Sequence, residues 1–305
     1  MPADRSVPAK GLRLADQAWL LMMMPPLFWA GNAVMGRAVA GAVPPVGLAF
    51  WRWFLGMLIV LPFAWRHLRH DLTPMLARWK SVLLLATLGI GVFNTLQYIA
   101  LNSTTALNCV MLQSSMPVMI VLMSVVLFRD RVGAMQGLGI VVSLAGATTL
   151  ISHGDPATLL GLELNSGDLW MLAAVVIYAA YTTLLRRRPA VHGLSFVVVT
   201  FAIGALELLP FYIWESLGGH PMRVSGITLL AVGYTVLFPS IAAYLCFNRA
   251  VELLGPNTAG LAIHLVPVFG SLLAILFLGE QLHPYHGIGI ALIAAGILLA
   301  TRRRA

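Results

Sequence analysis

Charged side chains are scarce in this sequence of 305 residues. Asp, Glu, Lys and Arg together make up 10% of it, whereas an ordinary soluble domain carries about a quarter. Hydrophobic residues make up 59%, and the mean hydropathy is +0.88. So little charge on so apolar a chain excludes a soluble globular domain and a disordered segment. The composition predicts an integral membrane protein.

Cysteine and the usual cofactor motifs are also missing or nearly so. The two cysteines, Cys109 and Cys246, lie in apolar runs, which excludes a disulfide scaffold. No phosphate-binding loop occurs, so ATP should not drive the chain directly. The spacing His283-x-x-His286 falls at a span boundary and is a weak metal motif. We expect no metal, no cofactor and no catalytic residues, and the chain is not predicted to be an enzyme.

Long uncharged runs define the candidate spans, since a membrane-crossing helix needs about 20 mostly apolar residues. The run 81–128 is too long for one span, and Asn102-Ser103-Thr104-Thr105 supplies a turn at its middle. Two further spans tolerate one charge each, Arg52 and Glu207. The pattern predicts an all-α protein with ten transmembrane helices, at 17–37, 45–65, 81–101, 104–128, 133–151, 168–186, 193–214, 226–248, 256–278 and 284–301.

The distribution of basic residues predicts the orientation of these spans. With a cytoplasmic N-terminus, all but three of the 19 Lys and Arg residues fall on the inner side. The exceptions are Arg37, Arg52 and Arg223, and an even number of spans returns the C-terminus to the cytoplasm. The net charge of +8 is therefore attributed to topology and not to nucleic-acid binding. A multi-pass protein of the inner (cytoplasmic) membrane with no cleaved signal peptide is expected.

The sequence repeats itself after about 150 residues. Residues 100–150 align without a gap to 250–300, pairing Pro117 with Pro267 and matching a Gly-x-Gly-x6-Gly pattern in both halves. Five spans per half is an odd number, so the second half must be inverted relative to the first. We predict two inverted five-helix repeats, at 14–151 and 166–301. Such repeats are typical of secondary transporters, which bind substrate near the midplane where the repeats meet.

These features together resemble a known family. Two five-span halves, Phe28-Trp29-Ala30 in the first span and the Leu278-Gly279-Glu280 turn before a Gly-rich last helix are similar to the drug/metabolite transporter superfamily, EamA type. The similarity covers about residues 17–301. Arg129-Asp130 departs from it, because the first half often carries a Gly-Glu turn there. The resemblance implies export of amino acids and other small metabolites, with the YddG-type aromatic amino-acid exporters as the most similar subgroup.

Polar and aromatic side chains on single helix faces are the candidate substrate-binding residues, because polar groups inside hydrocarbon normally face the bundle interior. An aromatic, mostly uncharged cavity suits a flat or amphipathic ligand. Each aromatic residue could instead fill the core or anchor at an interface. The candidates are Trp29, Asn32, Asn94, Gln97, Tyr98, Gln113, Ser114, Tyr178, Tyr181, Tyr244 and His264.

The repeat offset makes Ser114 equivalent to His264, each three residues before its proline, so the two are expected to face each other across the centre. His264 and Glu207 are the candidates for proton coupling, since imidazole titrates near neutral pH and Glu207 lies well inside its span. A hydrogen-bonded neutral histidine and an ion pair of Glu207 with Arg52 or Arg223 are the structural alternatives, and an ion pair also suits Arg52. The expected hinges are Pro25, Pro26, Pro117 and Pro267.

The function that best fits is a secondary transporter that exports amino acids, aromatic or neutral, and similar small amphipathic metabolites by alternating access. Its partners are then the small-molecule substrate and the lipid bilayer. An uptake or exchange carrier for another metabolite or a drug-like cation on the same fold is the nearest alternative. A channel, a scaffold or a membrane-embedded enzyme represents a different class. The Gly-rich spans 5 and 10 could serve dimerisation or internal packing, and the sequence does not decide between them.

Overall fold

The computed structural model describes residues 17–129, 133–155, 157, 165–254 and 265–301. All regular secondary structure in this part of the chain is helical, which agrees with the predicted class. The α-helices are α1 (Ala18–Ala38), α2 (Pro45–Ala77), α3 (Trp79–Ala86), α4 (Phe93–Leu101), α5 (Ala106–Gln113), α6 (Met116–Phe128), α7 (Ala134–Ile151), α8 (Ser166–Leu184), α9 (Gly193–Leu217), α10 (Gly226–Thr235), α11 (Ala243–Leu254), α12 (Val266–Leu278) and α13 (Pro284–Thr301).

Two spans contain a π-helical segment, where the backbone widens by one residue per turn. The first π segment, Thr87–Val92, joins α3 to α4, and the second π segment, Val236–Ala242, joins α10 to α11. The two begin 149 residues apart, at 87 and 236, close to the offset of the sequence repeat. The second contains Pro239, which has no backbone N–H to donate. π-helical turns occur frequently at functional sites.

Among the described residues, length and hydropathy define six helices that can cross a membrane, or seven when α5 and α6, which meet at 46°, count as one broken span. The turn predicted at residues 102–105 separates α4 from α5. Three further apolar helices are shorter, and α12 has only 13 residues. At 1.5 Å per residue α12 is about 20 Å long, less than a hydrocarbon core of about 30 Å. The ten-span count is therefore not confirmed by helix length within the described residues.

Two predicted span boundaries are wrong. The second span was expected at 45–65, but α2 continues as one helix to Ala77. Its last turns carry exposed charged residues, so the helix extends beyond the apolar segment that the sequence marks. The span expected as one helix at 104–128 is interrupted at Ser114–Ser115, where α5 ends and α6 begins with Pro117 in its first turn. A proline fits there because the first turn has N–H groups without intrahelical acceptors.

Helices α2 and α9 are antiparallel, and each caps the other. The carboxylate of Glu215, near the end of α9, accepts hydrogen bonds from the backbone N–H groups of Val46 and Gly47 at the start of α2, at 3.1 and 2.8 Å. At the opposite end, Asp71 of α2 accepts from the backbone N–H of His192, the N-cap of α9, at 3.1 Å. A carboxylate at a helix N-terminus is stabilised by the free N–H groups and the helix dipole.

Helices α7 and α13 pack with their backbones in contact through the repeated glycines. A Cβ at Gly146 would lie 2.7 Å from the carbonyl oxygen of Gly289, and a Cβ at Gly296 would lie 2.6 Å from that of Gly139. Gly139 and Gly146 are the repeat equivalents of Gly289 and Gly296, so the contact is itself nearly symmetric. The Gly-rich stripes of spans 5 and 10 therefore serve packing within the chain.

Candidate substrate-binding site

A buried arginine lies at the centre of the polar residues of the bundle. Arg52, in the second turn of α2, is 4% exposed. Its Nη1 donates to Asn32 Oδ1 at 3.0 Å, to Asn94 Oδ1 at 2.8 Å and to the hydroxyl oxygen of Tyr98 at 2.7 Å. Its Nε donates to Ser240 Oγ at 2.8 Å. These side chains come from α1, α4 and the second π segment, so both halves of the chain meet at Arg52.

Further contacts fix this group, which we call the Arg52 cluster: Arg52, Asn32, Asn94, Gln97, Tyr98 and Ser240. The Tyr98 hydroxyl donates to Asn32 Oδ1 at 2.8 Å, and Asn32 Nδ2 donates to Gln97 Oε1 at 3.5 Å. Ser240 donates to the carbonyl oxygen of Thr235 at 2.8 Å, a bond that the widened helical turn makes possible. The indole of Trp53 lies against the guanidinium, with Cζ 4.4 Å from the ring centroid.

The charge of Arg52 has no counter-ion among the described residues. Its four hydrogen-bond acceptors are neutral, and its Nη2 has no hydrogen-bond partner in the described part of the chain. The carboxylates of Glu207 and Glu215 bind Thr87 and the start of α2 instead. Burial of a cation is costly unless it is hydrogen-bonded and paired. Within the described residues, Arg52 is hydrogen-bonded but is not paired with an opposite charge.

The structural alternative of an ion pair, for Arg52 or for Glu207, is not found among the described residues. Arg52 is held by amide and hydroxyl oxygens, and Glu207 Oε1 accepts from the hydroxyl of Thr87 at 2.5 Å. Helix α9 places Glu207 against the first π segment, where a Cβ at Gly91 would lie 2.8 Å from Oε2. The other carboxylate oxygen, Oε2, is buried and has no hydrogen-bond partner among the described residues.

Four of the predicted binding residues are brought together in the cluster: Asn32, Asn94, Gln97 and Tyr98. A fifth, Trp29, lies beside it, because its Nε1 donates to the carbonyl oxygen of Pro239 at 3.2 Å. The Trp29 ring is 5.9 Å from that of Phe247, between centroids. An aromatic wall from α1 and α11 thus adjoins the buried cation.

The other predicted residues lie elsewhere on the described helices. Tyr178 packs on Phe93 at 4.4 Å between centroids, and the Tyr181 ring covers Gly89 of the first π segment. The Tyr244 hydroxyl adjoins Gly193 at the start of α9. These three tyrosines make no hydrogen bond to Arg52 in the described part of the chain.

Three residues that the sequence singles out, Gln113, Ser114 and Pro117, lie at or beside the 46° bend between α5 and α6. Ser114 is the C-cap of α5, and its hydroxyl donates to the carbonyl oxygen of Met111. Gln113 Nε2 is buried without a partner among the described residues. Pro267 stands in the first turn of α12, as Pro117 does in α6, whereas α1 continues as one helix through Pro25 and Pro26. His264 and its expected position opposite Ser114 lie outside the described residues.

Two residues of the cluster, Arg52 and Ser240, are not among the binding residues that the sequence predicts. Arg52 was assigned to the outer side and to an ion pair, and Ser240 was not singled out. The signal for Arg52 was present, because an arginine seven residues after the start of an apolar span must reach either an interface or an acceptor-rich interior. No comparable signal exists for Ser240, whose role depends on the π segment that turns it toward α2.

The outer surface of the bundle is apolar, in contrast to its polar interior. Trp214, Leu217 and Phe277 are exposed at 76%, 83% and 73%, and Phe63 at 71%. Large exposed apolar side chains around a polar, hydrogen-bonded interior are the reverse of a soluble protein and suit a lipid environment. Together with the spans, this surface defines a multi-pass membrane protein with a polar centre.

Comparison with known proteins narrows that class to one family. The EamA-like transporter family matches the chain twice, over residues 17–152 and 165–302. The chain thus consists of two EamA repeats, and it belongs to the EamA-like transporter family of the drug/metabolite transporter superfamily. It is a membrane transporter and not an enzyme, as the sequence predicts.

Similar proteins agree with this assignment. An uncharacterized transporter of Archaeoglobus fulgidus is 25% identical over 93% of this chain and 97% of its own length. YyaM of Bacillus subtilis, also an uncharacterized transporter, is 26% identical over 90% of both chains. YicL of Salmonella typhimurium, an uncharacterized inner membrane transporter, is 29% identical over 74% of this chain and 75% of its own. A solved crystal structure shares the fold, with a TM-score of 0.56, 23% identity and coverage of 93% and 96%.

Proposed function

We propose that this protein is a secondary transporter that exports amino acids, aromatic or neutral, and related small amphipathic metabolites. The observation that carries the proposal is the Arg52 cluster, a buried polar centre built by both repeats with Trp29 and Phe247 beside it. A substrate with a polar head and a flat apolar side chain matches such a centre. The resemblance to YddG-type exporters supports aromatic amino acids and the outward direction.

Alternating access is the mechanism that this architecture supports. The three shorter apolar helices would cross the membrane as short spans with local thinning of the bilayer, which gives ten spans in two inverted repeats. The proposed hinges are the 46° bend between α5 and α6 with Pro117, the equivalent Pro267, and Pro25 and Pro26 in α1. Rocking about such hinges would open the centre to each side in turn.

The remaining predicted residues are assigned around this centre. Tyr178, Tyr181, Tyr244, Gln113 and Ser114 would line the two access paths, and His264 would lie opposite Ser114. Glu207 and His264 are the proposed proton-coupling groups. For Glu207 the support is a buried carboxylate oxygen without a hydrogen-bond partner among the described residues, facing a π-helical turn. The proposed location is the inner (cytoplasmic) membrane, with both termini cytoplasmic.

Efflux from proteoliposomes tests the proposal. Liposomes loaded with labelled Phe, Trp, Thr and a neutral sugar would be followed with and without a pH gradient, with protein-free liposomes as the control. We expect saturable efflux of the amino acids and not of the sugar. Acceleration by the gradient that is lost in Glu207→Gln would support coupling at that residue. Flux without saturation would indicate a channel, and no amino-acid flux from folded protein would contradict the proposed substrate class.

A further inference from the structure

The Arg52 cluster has one feature that a purely structural hydrogen-bond network does not need. Three acceptors share the two hydrogens of Arg52 Nη1, while Nη2 has no hydrogen-bond partner among the described residues. A guanidinium placed only to join helices would be better satisfied by a carboxylate, which accepts two parallel hydrogen bonds and balances the charge. No carboxylate in the described part of the chain forms a hydrogen bond or an ion pair with Arg52.

We propose that Arg52 binds the carboxylate of the transported substrate and so determines that the substrate is a monoanionic acid or a zwitterion. The inference rests on the proposed function, and it names the ligand group and the residue that recognises it. An incoming carboxylate would accept from Nη2 with one oxygen and from Nη1 with the other. One of the three neutral acceptors of Nη1 would then be released.

The plane of the guanidinium is set before the ligand arrives. Trp53 lies against one face, 4.4 Å from Cζ to the ring centroid, and Ser240 holds Nε. Such preorganisation lowers the entropic cost of binding. Because Ser240 lies in the second π segment, next to the Pro239 carbonyl that accepts from Trp29, the anion site and the aromatic wall are joined by a single turn of backbone.

The same geometry limits the charge of the ligand. A single guanidinium with only neutral neighbours can balance one negative charge. A phosphate monoester carries close to two at neutral pH and would leave the second unpaired in a region of low dielectric. The buried Arg52 therefore favours the binding of carboxylates and disfavours that of sugar phosphates.

The test compares acids with their amides in wild-type protein and in Arg52→Lys. Lysine keeps the charge but lacks the planar pair of donors. In proteoliposomes, competition of labelled Phe efflux by unlabelled Phe and by phenylalaninamide should strongly favour the acid in wild type. In Arg52→Lys the apparent affinity for Phe should fall about ten- to a hundredfold, the size of one charge-assisted hydrogen bond, while that for the amide stays unchanged.

A structural role predicts a different pattern. If Arg52 only joins helices, Arg52→Lys lowers flux of acid and amide alike and leaves their ratio unchanged, which would overturn the inference. Arg37→Lys is the matched control, since it makes the same change at an arginine outside the cluster, whose Nη1 donates to the carbonyl oxygen of Leu101 at 2.9 Å. It should retain the preference for the acid. Equal competition by acid and amide in wild type would overturn the inference without any variant.

A binding assay separates this inference from the proposed function. Thermal unfolding of detergent-solubilised protein would be measured with phenylacetate and with phenylacetamide. Stabilisation of wild type by the acid only, and its loss in Arg52→Lys, would support an anion site at Arg52 even if no amino acid were transported. Absence of any difference between acid and amide would overturn it, even if amino acids were transported.

Discussion

At the scale of single residues, the chemistry of the centre depends on Tyr98. Its hydroxyl accepts from Arg52 and donates to Asn32, which is itself a second acceptor of the same guanidinium. The side chain is 2% exposed, and water cannot replace the lost hydrogen bonds without repacking. Hydrogen bonds of this kind are worth more to folding and binding than exposed ones.

Tyr98→Phe should lower the free energy of unfolding by about 1–3 kcal/mol, the cost of leaving a buried polar group unsatisfied. It should also lower the apparent affinity for the transported acid, because Arg52 loses an acceptor that orients it. Chemical unfolding in detergent and efflux kinetics measure the two effects. Tyr212→Phe is the control, since the Tyr212 ring stacks on Phe50 at 4.8 Å and its hydroxyl has no partner in the described residues. Identical behaviour of the two variants would contradict the role given to Tyr98.

At the scale of helices, backbone contacts and helix caps determine which helices pack together. Helices α7 and α13 approach until their glycines touch, and α2 and α9 exchange carboxylate caps at both ends. In lipid no hydrophobic effect drives helices together, so backbone contact and polar caps carry much of the specificity. Both pairs join one repeat to the other.

Gly146→Ala should destabilise the protein by about 1–3 kcal/mol, because its Cβ would lie 2.7 Å from the Gly289 carbonyl oxygen and 2.9 Å from Ile293, and the helices must separate. Gly137→Ala in the same helix is the control. Nothing lies within 4 Å of a Cβ there, and alanine should be neutral or stabilising by up to about 1 kcal/mol. Thermal unfolding in detergent compares them, and a Gly146→Ala protein as stable as Gly137→Ala would refute the packing.

The ends of α6 and α12 provide a second test at this scale. The two C-caps are repeat equivalents, and both adopt the left-handed conformation, with φ of 57° at Arg129 and 65° at Gly279. A side chain there costs about 1–2 kcal/mol. Arg129→Gly should therefore raise the stability by about 1 kcal/mol and Gly279→Ala should lower it by a similar amount. A fall in melting temperature for Arg129→Gly would show that its guanidinium contributes more than the backbone conformation costs.

The approximate positions of the helices and the alignment of the two repeats could be predicted from the sequence. They depend on the length of apolar runs and on proline and glycine, whose effects on the backbone are local. The turn at residues 102–105 and the glycine stripes are examples. The extension of α2 to Ala77, the break at Ser114–Ser115 and the two π segments did not, since each depends on tertiary contacts. The sequence predicts the helix face of Asn94, Gln97 and Tyr98 as a binding surface. It does not predict that Arg52 donates hydrogen bonds to this face, because the charge of an arginine does not show which side chains will accept from it.

At the scale of the whole molecule, two inverted five-helix repeats require that α9 cross the membrane completely. Its flanks carry the exposed residues Arg188 and His220, on either side of a helix of 25 residues. In a protein with Cys109 and Cys246 replaced by alanine, Arg188→Cys and His220→Cys should react with an impermeant thiol reagent from opposite faces of oriented vesicles. With cytoplasmic termini, His220→Cys should react from outside. Labelling of both from one face would contradict the inverted repeat.

The most direct test of the central claim, that substrate occupies the Arg52 cluster during transport, is protection of a thiol at that place. Ser240→Cys, in the same cysteine-free protein, changes one atom beside Arg52 Nε. We expect a small thiol reagent to modify it, Phe to slow the modification at the concentrations that saturate efflux, and phenylalaninamide to have no such effect. Unchanged modification in the presence of saturating Phe, while efflux continues, would place the substrate elsewhere and contradict the account.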